Sequence, residues 1–155
     1  MSPSAAPGGE GTKGIIIMDI DLEKVRDHFQ KDRFAKRNGM VIDSVTESCV
    51  VCSVELSQWH KNSADGIQGG AIFTLADLTF AVHSNLAMVC GAHVGVTLGQ
   101  SCFISFLKGT KGSRLIARSA CLSKGRNVSV YRIRVEDDLG APIAEMLANA
   151  FTLAK

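Results

Sequence analysis

A chain of 155 residues, 46% hydrophobic and 21% charged, has the length and balance of one globular domain, which excludes a disordered or fibrous protein. A formal net charge of +2 exerts no global pull toward nucleic acid or membrane. The charge is unevenly spread, however. No Asp or Glu occurs from Leu78 through Val135, a stretch that carries Lys108, Lys111, Arg114, Arg118, Lys124, Arg126, Arg132 and Arg134. A one-sign block of this kind reads either as a site for an anionic partner or as solvated strand faces balanced by acids elsewhere.

Residues 1–14 form a Pro/Gly/Ser/Ala-rich tail with neither the basic nor the apolar region of a signal peptide, and they are expected to be mobile. The remainder, 15–155, reads as a single domain. Residues 21–38 are expected to form one helix, capped by Asp21, with an apolar stripe of Leu22, Val25 and Phe29 and a stop at Asn38-Gly39. Strands follow at 40–46 and 48–56. Cys49 and Cys52 make a C-x-x-C, but residues three apart on a strand point to opposite faces, and no second Cys or His pair stands nearby to complete a metal site. The five cysteines, an odd number, read instead as buried free thiols in a reducing compartment, with the cytoplasm as the expected location.

A polar loop spans 57–68. Residues 70–88 read as a helix apolar on nearly every side and therefore buried on nearly every side. Asp77, His83, Ser84 and Asn85 make it too polar for a membrane span. Four more strands are expected at 93–107, 114–122, 127–136 and 142–153, separated by the turns "KGTKGS", "SKGRN" and "DDLGAP". In "NVSVYRIRV" the apolar alternation changes phase between Val130 and Tyr131, which predicts a bulge. Without βαβ alternation the sheet should be antiparallel, curved about the one apolar helix.

Asp77 raises the question of function, because a carboxylate in an apolar helix needs partners or a use. Gly69 and Gly70 open the same helix, where free N–H groups and the positive end of the dipole suit an oxyanion. Asn62, in the preceding loop, offers an amide to a carbonyl or a water. Asp77 lies eight residues past Gly69, about 12 Å along a helix, so one chain cannot bring both to one substrate. A catalytic reading therefore demands two antiparallel copies of this helix, a two-fold dimer with two equivalent sites. The histidines, His28, His60, His83 and His93, form no spaced cluster and no metal site is expected. His60 is positioned in sequence to line a pocket near Asn62, and His83 reads as a core histidine.

The pattern Asn62, Gly66, Gly69-Gly70, Leu75-Ala76-Asp77 resembles the signature of hotdog-fold acyl-CoA thioesterases of the PaaI-like, phenylacetate-pathway subgroup, with the likeness running from about residue 38 to 153. The resemblance implies an α+β hotdog fold, a long central helix wrapped by about six antiparallel strands. It implies Asp77 as base or nucleophile, the Gly69 N–H as oxyanion hole and Asn62 as the loop amide, with the acid and the loop groups from opposite subunits. Gly70 completes the glycine pair. Gln68 stands where the family has His, and Thr97 is the expected strand hydroxyl that assists. No cofactor is implied, since coenzyme A is part of the substrate. Its phosphates are assigned to the "SKGR" turn, Ser123, Lys124, Gly125 and Arg126, with Arg118 and Arg132 as further cations. A homodimer, paired again into a tetramer, is expected, with neither nucleic acid nor membrane as partner. The competing readings are a non-catalytic acyl-CoA binding protein, a hotdog dehydratase, disfavoured by Gln68, and a nucleic-acid binder without a motif to support it.

Overall fold

The structure is a computed structural model describing residues 18–92 and 94–153; the expected tail at 1–14 and His93 lie outside these residues. The elements run α1 (Leu22–Phe29), α2 (Arg33–Arg37), β1 (Met40–Val45), β2 (Val50–Glu55), a 3-10 turn (Gln58–His60), α3 (Gly69–Val89), β3 (Thr97–Phe106), β4 (Arg114–Lys124), β5 (Val128–Asp137) and β6 (Pro142–Thr152). The six strands form one antiparallel sheet in the order β1-β2-β4-β5-β6-β3. α3 lies in its concave face. By length and composition α3 is apolar enough to cross a membrane, but its Leu75, Ala76, Val82 and Leu86 are buried against the sheet as core.

The single helix expected at 21–38 is two. Asp21 caps α1, its Oδ1 accepting from Glu23 N at 2.9 Å. Asp32 then starts a second helix by accepting from Ala35 N at 2.9 Å. A second good cap inside the run competes with continuation, and it wins. Val25 and Ala35 bury against the core while Phe34 stays 67% exposed.

The core is built from Leu75 and Val82 of α3 and from Val50, Val54, Leu115, Ile133, Val135, Ile143 and Met146 of the sheet, all essentially inaccessible. Truncating one such side chain costs about 2–5 kcal/mol. The bulge expected in β5 lies on its neighbour. Val130 pairs with Ser123 and Tyr131 with Cys121, leaving Leu122 of β4 as the extra residue. β5 itself alternates regularly; Val128 and Val130 simply point outward.

α3 is not covered all round. Gly70 and Asp77 are exposed and Thr74, Ala81, Ser84 and Met88 half-buried, and these six recur along one side of the helix. The sheet wraps the opposite side, so Asp77 is not the core acid the sequence predicts. β3 is likewise uncovered: it is one of the two edges of the sheet, the other being β1, with Leu98, Phe103 and Phe106 exposed at 51%, 70% and 53%.

The cysteines are all free, but only Cys52 is buried, its thiol pushed up to about 12 chiefly by desolvation. Cys102 and Cys121 are exposed, contrary to expectation.

Candidate active site

The loop before α3 is held from below. Ser57 N–H donates to His60 Nδ1 at 3.0 Å, so the ring proton sits on Nε2, which donates to the Asn38 carbonyl at 2.9 Å. His60 is therefore buried and spent on structure rather than lining a pocket. Its carbonyl accepts from Gln68 N at 2.8 Å, which fixes the approach to the helix. Within the loop the Asn62 side-chain oxygen accepts from Ala64 N and Gly66 N at 2.9 and 3.1 Å. That oxygen closes its own turn. The Asn62 Nδ2 group has no acceptor among the described residues.

Gln68 caps α3 by backbone alone: its carbonyl accepts from Ala71 N and Ile72 N, and its side chain makes no cap bond. The N–H groups of Gly69 and Gly70 donate to nothing among the described residues. They are the free donors a helix start leaves, at its positive end. Gly69 lets the Phe106 ring approach closely, since a Cβ on it would come within 3.1 Å of that ring. In front of it opens a concavity of about 330 Å³ bounded by Ile67, Ile72, Phe106 and Lys108. A second, of about 570 Å³, shares Ile67 and Thr110 with the first and carries Lys61 and Lys111.

Asp77 makes no hydrogen bond or ion pair among the described residues; Thr74, its nearest helical hydroxyl, donates to the Gly70 carbonyl instead. The carboxyl is raised above its ordinary 3.8, first by burial of its inner side and then by the like charge of Asp32. Cys102 of β3 feels the same acid: its thiol is raised first by burial and then by the charge of Asp77. Asp77 thus stands within electrostatic reach of Asp32, which starts α2, and of Cys102 on β3. Sequence reasoning missed both Cys102 and Asp32. The alternation Cys102, Ile104, Phe106 on one face of β3 and the capping acid of α2 were the signals available.

Thr97 is not brought to Asp77. It opens β3, buried, with its N–H donating to Asn85 Oδ1 at 2.8 Å and its hydroxyl on Thr152 Oγ1 at 2.9 Å. Asn85 lies about 12 Å along α3 from Asp77. The "SKGR" turn is also remote from Gly69 within one chain. Ser123, Lys124, Gly125 and Arg126 are exposed, and Lys124 borders a small cavity with Glu47, His83 and Tyr131. His83 is a satisfied core histidine, with Nε2 donating to the Glu47 carbonyl at 3.2 Å and Nδ1 on Ser119 Oγ at 2.7 Å. Gly125 is needed for the turn itself, because a Cβ would sit 2.9 Å from the Val128 carbonyl.

The basic block divides. Arg114 pairs with Asp43 at 3.0 Å and Glu55 at 3.4 Å, while Arg132 and Arg134 share Glu145 at 3.2 and 3.4 Å. These three are balanced strand faces. Lys108, Lys111, Arg118, Lys124 and Arg126 have no ion pair among the described residues and are the cations left for an anionic ligand.

No family model matches the chain. A protein of Archaeoglobus fulgidus named as a candidate esterase is 27% identical over 125 residues, 79% of this chain and 77% of its own length. The acyl-coenzyme A thioesterase PaaI of Escherichia coli is 28% identical over 108 residues, 69% of this chain and 73% of its own. Among solved structures, a mutant thioesterase of Pseudomonas aeruginosa superposes with a TM-score of 0.78 at 20% identity, covering 88% of this chain and 96% of that one. These likenesses agree with the resemblance to PaaI-like thioesterases, and the fold is the hotdog: one long helix held in a six-stranded antiparallel sheet.

Proposed function

We propose that this chain, a hotdog-fold protein of the PaaI-like thioesterase type, hydrolyses an acyl-CoA thioester to free acid and coenzyme A at a site shared between two subunits. The observation that carries the reading is a pairing along α3: unpaired N–H groups at Gly69 and Gly70, with Gly69 lining a concavity, and an accessible, unpaired carboxylate at Asp77 on the helix side the sheet leaves bare. The Gly69 N–H of one subunit takes the thioester carbonyl oxygen, with the free Asn62 amide beside it. Asp77 of the other takes a proton from water as the oxygen of that water adds to the carbonyl carbon, or adds to the carbon itself to form an anhydride that water then opens. Negative charge gathers on the carbonyl oxygen at the helix start. Collapse expels the coenzyme A thiolate, a fair leaving group with a thiol pKa near 8.5, so no separate general acid is required.

In the antiparallel pair, Asp77 of one helix is level with Gly69 of the other, so His83 lies about 9 Å beyond that helix start, on the side of the loop that precedes it. The neighbouring Lys124 and Arg126 then approach that loop from the partner side and take coenzyme A phosphates there, while Lys108 and Lys111 flank it from the same chain. Replacing Lys124 and Arg126 together with Ala is expected to raise KM for acyl-CoA and to spare small thioesters without a nucleotide. Equal loss on both would assign these cations to the fold. The reading needs no metal, and exposed free thiols at Cys102 and Cys121 favour a reducing compartment.

A thiol-release assay over a panel of acyl-CoAs tests the function. Release with at least one acyl group is expected; coenzyme A binding without release from any would leave a binding protein, with Gln68 in place of the family His as the first suspect.

A further inference from the structure

The register of β3 decides which of its side chains face α3. Cys102 pairs with Ala148, Ile104 with Met146 and Phe106 with Ala144, and all three partners on β6 are buried. Directly paired residues share a face of the sheet, so Cys102, Ile104 and Phe106 turn toward the helix.

Two close approaches then align the strand with the helix. A Cβ on Gly99 would stand 3.3 Å from the Phe80 ring, and one on Gly69 would stand 3.1 Å from the Phe106 ring. From Gly99 to Phe106 the strand therefore runs past α3 from Phe80 back to Gly69, in the opposite direction. Dividing the interval evenly sets Ile104 level with about residue 72 and Cys102 with about residue 75, within one helical turn of Asp77. The electrostatic influence of Asp77 on the Cys102 thiol agrees with that placement.

The shared site adds an independent requirement. Bringing Gly69 of one copy to Asp77 of the other centres the antiparallel helix pair on Phe73. Of the strand residues that face the helix, Ile104 lies nearest that level. β3 is an open edge of the sheet, where a second copy can add as a strand. Adding it about Ile104 brings Cys102 of one chain opposite Phe106 of the partner subunit, the ring that rests on the partner's Gly69. One two-fold axis thus satisfies both the helix pairing and the strand pairing. It also covers part of the exposed apolar edge.

We propose that Cys102 lines the reacting centre, between Asp77 of its own chain and the Gly69–Phe106 corner of the partner subunit, and that its small side chain sets how the thioester seats between them. The placement rests on the thioesterase reading for its substrate. Cys102 takes no part in bond making; it shapes the slot and so governs which acyl groups react.

Two measurements test it. Cys102→Ser should keep kcat/KM within about threefold, whereas Cys102→Phe should lower it at least tenfold while sedimentation still shows the dimer. On the unaltered protein, labelling of Cys102 by N-ethylmaleimide, mapped by mass spectrometry, should slow at least tenfold with a saturating non-hydrolysable acyl-CoA thioether. A dimeric Cys102→Phe variant with wild-type turnover overturns the proposal, as does labelling that the thioether leaves unchanged. Should Cys102→Phe fail to assemble, the labelling result decides alone. Protection without any acyl-CoA turnover by the wild type would sink the hydrolase reading and keep the placement; turnover without protection would do the reverse.

Discussion

Asp77 has an open face, no partner among the described residues, and a carboxyl held above its ordinary value by burial and then by Asp32. The folded chain thus binds that proton more tightly than the unfolded one. Its contribution to stability is fullest below pH 3.8 and is lost as pH rises through the raised folded value. Asp77→Asn removes that loss, so the thermal melt at neutral pH should hold or rise while kcat falls about 10²-fold, the scale of a lost general base. A drop in melting temperature with turnover per folded site intact would mark a structural acid. The same electrostatics predict that the acid limb of kcat/KM lies above pH 3.8 and moves down in Asp32→Asn, which lifts the like charge. An unmoved limb would detach Asp32 from the site. The residues near Gly69 divide by role: His60 and the Asn62 oxygen hold the loop, and the free N–H groups of Gly69 and Gly70 remain for a ligand.

At the scale of elements, the strand order, the long helix and the glycine pair at its start are legible because each rests on local pattern: period two, period 3.6 and the chemistry of a helix terminus. What failed needed a neighbour. α3 reads as apolar all round because Gly70, Ala81 and Met88 are as apolar as the core face, and composition does not tell which side a sheet covers. The apolar pattern at Val130–Tyr131 marks no bulge in β5, where Val128 and Val130 simply point outward; the extra residue is Leu122 across the ladder. The expected helix at 21–38 hid the cap of Asp32 within a charged run. Sequence alone does not give the register of β3, and the pairing of Thr97 with Asn85 and Thr152 puts it at the far end of the helix. Thr97→Val should cost about 1 kcal/mol of stability, the scale of one hydrogen bond, and leave turnover per folded enzyme unchanged. A loss of kcat without loss of stability would return Thr97 to the chemistry.

For the whole molecule, the proposed function makes one chain half a site. The bare side of α3 and the open edge β3 lie where a second copy would cover both, and about 12 Å of helix keeps Asp77 from its own Gly69. Two defective chains should therefore repair each other. Asp77→Asn retains Gly69, and Gly69→Val, whose side chain fills the space in front of the helix start, retains Asp77. Each homodimer should be nearly inactive. When the two are unfolded, mixed in equal amounts and refolded together, half the dimers are mixed and each mixed dimer holds one intact site. The account predicts acyl-CoA hydrolysis restored to about a quarter of wild type; a mixture that forms mixed dimers yet stays as inactive as its parents would contradict it.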